Sequence, residues 1–266
     1  MANYGKDNGG CSFIWSLGDN FYDDGVTSVH DPQWNSTFHS LFSDPQLRVR
    51  WYSCLGNHDH HGNVTAQVAY THAPDNMGWY MPNALYTDVV QVEEGTSAQF
   101  FVLNTYDRKR PLDSQLKWLT GELAKSTADW RFLVNHNPIF SGGSTHGGTT
   151  GFGRWAAKTR ELERKVLPLL VQYGVHAVFS GDDHTLQILE EQDVAFFVSG
   201  AGGGREKGMY HRAKAINQTV FVQQSAGGFM AHHLNRTTLS TRVVKWTGKM
   251  LHSHVYHRPP RPRAAA

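Results

Sequence analysis

Four apolar runs in this chain each stop abruptly on residue types that bind metals, and that repeated coupling restricts the fold more than any other feature. Cys11-Ser-Phe-Ile-Trp-Ser-Leu17 leads into Gly18-Asp19-Asn20-Phe21-Tyr22. Trp51-Tyr-Ser-Cys-Leu55 leads into Gly56-Asn57-His58-Asp59, and Trp130-Arg-Phe-Leu-Val134 into Asn135-His136. Val175-His-Ala-Val-Phe-Ser180 leads into Gly181-Asp182-Asp183-His184. Short apolar runs bounded by turn residues read as buried strands. In layered α/β folds, ligands gather just past the carboxyl ends of strands. Four strand-plus-ligand units are what a site assembled from separate chain segments requires.

Helical patterns fill the gaps. Asp113 or Ser114 can cap a helix through Leu123, with Leu116, Leu119 and Leu123 on one face. Trp155 to Tyr173 carries Leu162, Val166, Leu169 and Leu170 at helical spacing and meets Gly174, a stop signal. Val194–Ser199, Val220–Gln223 and Thr241–Trp246 continue the strand signal, so the order is mixed and β-rich near the end. The reading is a two-sheet α/β sandwich in one domain, residues 1–256, followed by a basic, Pro-rich tail at 257–266. The chain has 266 residues, enough for one sizeable core.

Composition removes several function classes. A formal charge of +2 gives no general pull on nucleic acid, and no groove-reading motif is present. No apolar stretch approaches the ~20 residues that span a bilayer. Cys11 and Cys54 make no disulfide framework. Sequons at Asn35, Asn63, Asn217 and Asn235 suit a secreted or lumenal (lysosomal or vesicular) home for the full-length form. The first residues do not read as a signal peptide. A polar, Gly-rich segment runs directly into a buried strand, so we expect an earlier strand to belong before it. A monomer is expected.

The candidate ligands have distinct chemistry. Asp19 can bridge two metals through its two oxygens. Tyr22 is a poor ligand at neutral pH unless a strong Lewis acid such as ferric iron holds it as phenolate. Asn57 offers a carbonyl oxygen, and His58 can hydrogen-bond a phosphate oxygen or leaving group. His136 follows a buried strand and offers a neutral imidazole to zinc, manganese or iron. His146 lies in the Gly-rich stretch 141–153, which can approach a ligand closely. Asp182 and His184 alternate, so an extended backbone places both on one side. Each segment also has an ordinary explanation: a Gly-Asp turn with a packed Tyr, an Asn-His turn, a core histidine, a flexible loop, an Asx turn. Four such coincidences after four strands favour the joint functional reading.

The series Gly18-Asp19-x-x-Tyr22, Gly56-Asn57-His58-Asp59, Val134-Asn135-His136 and Gly181-Asp182-Asp183-His184 resembles the purple acid phosphatases. These belong to the calcineurin-like metallophosphoesterases, and the small tartrate-resistant type is most similar. The resemblance covers at least Ile14 to about Trp246. It implies a four-layer α/β/β/α sandwich of two mixed sheets, here without its first strand. It also implies hydrolysis of a small phosphomonoester or phosphoprotein by metal-activated hydroxide at a binuclear centre. The implied ions are Fe(3+), on Asp19, Tyr22 and His184, and a divalent Fe, Zn or Mn, on Asp19, Asn57, His136 and Asp182. His58 and His146 take the places of outer histidines that bind phosphate and aid leaving-group protonation. Two departures stand out. The family's first Asp, in an Asp-x-Gly motif, has no counterpart in this chain. The family reads Gly-His-x-His where this chain has Gly181-Asp182-Asp183-His184, an exchange that favours a harder metal. These departures leave open a non-hydrolytic metal- or phosphate-binding protein, or a phosphodiesterase of the same superfamily.

Overall fold

A computed structural model describes residues 1–143, 154–203, 213–223 and 227–259. The chain opens with a short helix α1 (Ala2–Asp7) and strand β1 (Phe13–Ser16), then a π-helical turn at Trp34–His39. Next come β2 (Arg50–Ser53), α2 (Val64–Tyr70), β3 (Trp79–Tyr80) and the hairpin of β4 (Tyr86–Glu93) and β5 (Thr96–Val102). Helix α3 (Leu112–Lys125), β6 (Trp130–Val134), α4 (Arg154–Gln172) and β7 (Ala177–Ser180) form the middle. The remainder is β8 (Leu186–Glu191), β9 (Val194–Ser199), β10 (Thr219–Gln223), β11 (Gly228–Leu234), β12 (Thr238–Lys245) and β13 (Met250–His257).

The α/β sandwich expected from the sequence is present, but the strands fall into three hydrogen-bonded sheets instead of two. A parallel sheet has the order β1-β2-β3, and a mixed sheet runs β10-β8-β9-β7-β6-β5-β4. An antiparallel meander, β11-β12-β13, forms the third. The division arises because β1 and β11 are each paired on one side only among the described residues.

Period-two alternation sets the layers. On β5, β6, β7 and β9, residues Phe100, Val102, Phe132, Val134, Phe179 and Phe197 face one core. Their neighbours Phe101, Leu133, Val178, Phe196 and Val198 face a second core, shared with Leu116, Leu119 and Leu123 of α3 and Leu162, Val166 and Leu170 of α4. β1 alternates likewise. Phe13 and Trp15 pack on Phe100 of the large sheet, with ring centroids 5.8 and 5.2 Å apart. On the other side of this small sheet, Trp51 meets Phe38 and Phe42 around the π-helical turn at 5.3 and 4.5 Å. Helices, large sheet, small sheets and the α2 region therefore stack as four layers.

Local detail departs from the sequence expectation at a few ends. Pro111, not Asp113 or Ser114, occupies the N-cap of α3, and the Ser114 hydroxyl donates back to the Pro111 carbonyl at 2.8 Å. Proline pre-sets the backbone angle that enters a helix, so the first turn starts earlier. Gly174 ends α4 with φ at +60°, and Val175 N–H bonds the Leu170 carbonyl at 2.8 Å, closing the helix as expected. The His257 expected to begin the tail is the last residue of β13, and residues 260–266 lie outside the described set.

Candidate metal centre

The parallel pairs β1–β2 and β6–β7 release their following loops next to one another, with Gly18, Gly56 and His136 in close approach. Two glycines allow those loops to touch. Gly18 has φ +86°, and a Cβ there would lie 2.5 Å from His136 Nδ1 and 2.8 Å from Gly56 N. A Cβ on Gly56 would lie 2.2 Å from Asp19 Oδ1. Side chains at either position would push apart the groups that form the site.

Asp59 ties the first two loops together. It is fully buried and accepts hydrogen bonds from Gly56 N (2.8 Å), Asn20 N (3.0 Å), Asn20 Nδ2 (3.1 Å) and Gln67 Nε2 (2.8 Å). Asn20 also donates to the Cys54 carbonyl at 2.9 Å. The carboxylate thus locks the loop bearing Asp19 to the loop bearing Asn57.

Asp19 lies at the centre. Its Oδ1 accepts from His58 N at 2.9 Å, while its Oδ2 accepts from the Tyr22 hydroxyl at 3.0 Å and stands 3.3 Å from His136 Nε2. Tyr22 Oη lies 3.2 Å from His184 Nε2. On the other side, His136 Nε2 is 3.4 Å from Asp182 Oδ1, and ligand atoms of Asp19, His136 and Asp182 all fall within 4.8 Å of one another. His136 is 1% exposed; its Nδ1–H is committed to the Leu17 carbonyl at 2.7 Å, which leaves Nε2 as the lone-pair nitrogen when the ring is neutral.

The electrostatics favour a cation. Burial disfavours the charge on Asp19, but His136 and the His58 N–H outweigh it and hold the carboxyl well below the usual range. Burial likewise opposes protonation of His136, and the Asp19 and Asp182 carboxylates outweigh that, keeping its proton far above the ordinary value. Burial, then the charge of Asp19, pushes the Tyr22 phenol up. One proton on His136 therefore sits where a multivalent ion would balance the same carboxylates. Two buried atoms support that fit: His136 Nε2 and Asn57 Oδ1 have no hydrogen-bond partner of good geometry. An orphaned buried polar atom is costly, and a metal satisfies it.

The structure brings Asp19, Tyr22, His136, Asp182 and His184 together. His58 stands at the rim. Its ring lies against Tyr22 with centroids 4.3 Å apart, Nδ1 meets the Asp23 carbonyl at 2.5 Å, and Nε2 is 4.0 Å from Asp19 Oδ2. His60 bonds Asn104 at 2.7 Å and His61 pairs with Asp24 at 3.3 Å, both outside the cluster. His146 lies outside the described residues. Sequence reasoning missed Asp59 and Asn20 as organisers, and it missed Tyr106 and Asn137, which both contact Asp182. Asp59 stood in a motif already singled out; the other two carried no periodic or spacing signal.

Comparison with known proteins decides the family. The signature of calcineurin-like phosphoesterases matches residues 1–186. Tartrate-resistant acid phosphatase type 5 of Rattus norvegicus is 34% identical over 277 aligned positions, covering 95% of this chain and 81% of that protein. The chain belongs to the calcineurin-like phosphoesterases. Within them it is a hydrolase of the purple, tartrate-resistant acid phosphatase kind. Purple acid phosphatase 7 of Arabidopsis thaliana is 28% identical over 255 positions, covering 90% of this chain and 74% of that protein. Among solved structures, one described as GAP50, the anchor in the inner membrane complex of Plasmodium, superposes with a TM-score of 0.79 at 25% identity. That match covers 98% of this chain and 84% of the other. The purple acid phosphatase PPD1 of yellow lupin gives a TM-score of 0.71 at 16% identity, covering 100% of this chain and 52% of the other, and so shares the calcineurin-like phosphoesterase fold. No helix among the described residues is long and apolar enough to cross a membrane.

Proposed function

We propose that this phosphoesterase hydrolyses phosphate monoesters, small molecules or phosphoproteins, at a centre for two metal ions that share Asp19. The observation that carries the reading is the position of Asp19 Oδ2. It lies 3.0 Å from Tyr22 Oη on one side and 3.3 Å from His136 Nε2 on the other, so one carboxylate serves two ligand groups. Tyr22 and His184 would hold a ferric ion with Asp19. Asn57, His136 and Asp182 would hold a divalent ion, Fe, Zn or Mn, with the same Asp19.

Bound there, the ions would neutralise phosphate charge and lower the pKa of a water molecule. The chain's own groups do the rest. Asp59 fixes the separation of the Asp19 and Asn57 loops, and the Leu17 carbonyl fixes the His136 ring. The rigid frame means that little reorganisation is needed when charge develops on the phosphoryl oxygens. His58, held through Nδ1 by the Asp23 carbonyl, keeps Nε2 near the mouth, where it can hydrogen-bond a phosphate oxygen or protonate the departing alcohol. The sequons suit a secreted or lumenal home. Asn35, Asn63 and Asn217 are exposed, and Asn63 also uses its side chain to cap α2.

The test is metal analysis of the purified chain alongside turnover of a phosphomonoester and a phosphodiester. The expected result is two ions per chain, preference for the monoester, and loss of both activity and one ion in Asn57→Ala. Ferric-loaded protein should also show a visible charge-transfer absorption that Tyr22→Phe removes. Fewer than two ions with no turnover would overturn the reading, as would unchanged activity and metal content in Asn57→Ala.

A further inference from the structure

A histidine ligand presents one donor atom, and a hydrogen bond on its other nitrogen fixes its direction, as the Leu17 carbonyl does for His136. A carboxylate in the same role has two equivalent oxygens. Left alone it can rotate, chelate with both, or swing toward a neighbouring group. Asp182 occupies such a position, and its surroundings answer this difficulty.

Asp182 Oδ2 accepts from Asn137 Nδ2 at 2.5 Å and from the Tyr106 hydroxyl at 3.3 Å. Asn137 Nδ2 also donates to Tyr106 Oη at 2.8 Å, so the three side chains close a ring of hydrogen bonds. The amide is itself oriented: Asn137 Oδ1 accepts from Thr105 Oγ1 at 2.5 Å, which turns the NH2 group toward Asp182. Asn137 is 2% exposed and Asp182 6% exposed. The remaining oxygen, Oδ1, is the one that faces His136 Nε2 at 3.4 Å. Tyr106 and Asn137 come from the segments that follow β5 and β6, so the ring depends on the order of the large sheet.

We propose that Asn137 and Tyr106 form a carboxylate brace that makes Asp182 a one-oxygen ligand, imitating a histidine in reach but not in chemistry. The inference rests on the two-ion reading and deepens it. With Asp19, Asn57 and Asp182 supplying oxygen and His136 alone supplying nitrogen, the divalent position is oxygen-rich and anionic. Such a donor set selects manganese or ferrous iron over zinc. The brace sustains that selection, because it keeps the second Asp182 oxygen from the ion and keeps the carboxylate from turning on Asp19.

The experiment strips the full chain with a chelator and titrates it back with Mn²⁺ and, separately, Zn²⁺, following heat and bound metal. The melting temperature of each stripped protein is measured in parallel. Asn137→Ala and Asn137→Asp should weaken Mn²⁺ binding at one of two positions about 10- to 100-fold, the range for loss of a group that orients a metal ligand. Tyr106→Phe should weaken it less, and Asp182→His should reverse the preference from Mn²⁺ to Zn²⁺. The Tyr22-dependent absorption of ferric-loaded protein, which reports the other ion, should persist in all four variants. Wild type that binds two ions, with Mn²⁺ affinity unchanged in both Asn137→Ala and Tyr106→Phe, would overturn the brace and leave the two-ion reading standing. A drop in melting temperature with no change in metal affinity would also overturn it, since a packing role alone produces that pattern. If Asn137→Ala does not fold, Tyr106→Phe decides by the same criterion. Wild type that takes up no Mn²⁺ or Zn²⁺ would overturn the two-ion reading and the brace with it.

Discussion

Asp59 offers the sharpest test of how the site is held. The residue is fully buried and accepts from four N–H donors: Gly56 N, Asn20 N, Asn20 Nδ2 and Gln67 Nε2. Asp59→Asn keeps the shape but replaces one oxygen with an NH2 group. The favourable rotamer leaves the oxygen toward Gly56 N and Asn20 Nδ2 and aims the NH2 at Gln67. Gln67 can answer by flipping its amide, yet its Oε1 already accepts from Asn20 Nδ2 at 3.2 Å, so one hydrogen bond is lost whichever way it turns. The surviving bonds also weaken from charged to neutral. Losing one bond to a charged group at a dry site costs about 2 kcal/mol. Asp59→Ala leaves Gly56 N, Asn20 N and Gln67 Nε2 without an acceptor, while Asn20 Nδ2 keeps the Cys54 carbonyl and Gln67 Oε1, and at about 1 kcal/mol or more each the loss reaches about 3 kcal/mol. That is a large share of a typical domain stability of about 5–15 kcal/mol. Urea unfolding of metal-stripped protein at neutral pH, followed by tryptophan fluorescence, measures both. An Asp59→Asn variant within about 0.5 kcal/mol of wild type would refute the claim that these donors depend on the carboxylate, since changes that small are typical of surface substitutions.

The same residue gives a pH dependence of definite sign. Burial outweighs the donors and raises the Asp59 carboxyl above its ordinary value of 3.8, so on acidification the folded chain takes up this proton before the unfolded chain does. Its contribution to stability therefore grows as pH falls from the raised value toward 3.8, and the gap in urea midpoint between wild type and Asp59→Asn should widen over that window; a narrowing gap contradicts the assignment. Gly56→Ala would place a Cβ 2.2 Å from Asp19 Oδ1 and 2.5 Å from Asp19 N. It should lower stability by about 1–3 kcal/mol and remove metal held through Asp19, both read by urea unfolding and metal analysis. Chelation should lower the melting temperature of the native protein, since an ion at about 1,000 times its dissociation constant stabilises the folded state by about 4 kcal/mol. An unchanged melting temperature would speak against ions at Asp19, His136 and Asp182.

What could be read in the sequence was whatever the chain encodes locally. The run Trp130–Val134 is the observed β6 and Val194–Ser199 the observed β9, because fully buried strands are apolar on both faces and stop sharply at polar residues. For the same reason Asp19, His136 and Asp182 could be named from strand ends. The β4–β5 hairpin escaped notice because Asp88, Gln91, Glu93 and Gln99 interrupt its apolar pattern, with β4 at the edge of the large sheet. Only Thr241–Lys245 of β12 was visible, since β11 to β13 carry His, Ser and Thr on half-exposed faces. Asp59 read as part of a turn, and nothing local shows that Gln67 and Asn20 converge on it. Tyr106 and Asn137 lie 76 and 45 positions from Asp182, and only the order β5-β6-β7 brings them together.

Backbone conformation adds a last discriminating test. Among the described residues, five that are not glycine have φ in the left-handed region: Asp19, Met77, Asp182, Gln192 and Asp193. Gln192 and Asp193 are the two residues between β8 and β9, where a tight hairpin requires positive φ, and Met77 precedes Gly78 in the turn before β3. The other two, Asp19 at 52° and Asp182 at 60°, are the carboxylates that flank His136, and each follows a glycine at a strand end. Left-handed backbone costs an ordinary residue roughly 1–2 kcal/mol, least for Asp and Asn, and such strain concentrates where it positions a functional group. Asp182→Gly and Asp182→Ala both delete the carboxylate, so their difference isolates the backbone. At a right-handed position the alanine variant is the more stable, by about 0.4–1 kcal/mol. At φ +60° the order reverses, and in metal-stripped protein the glycine variant should be the more stable by about 1 kcal/mol. Urea unfolding of the pair settles the sign. A more stable alanine variant would mean that the turn relaxes to ordinary geometry, and that Asp182 is placed by its hydrogen bonds to Asn137 and Tyr106 alone.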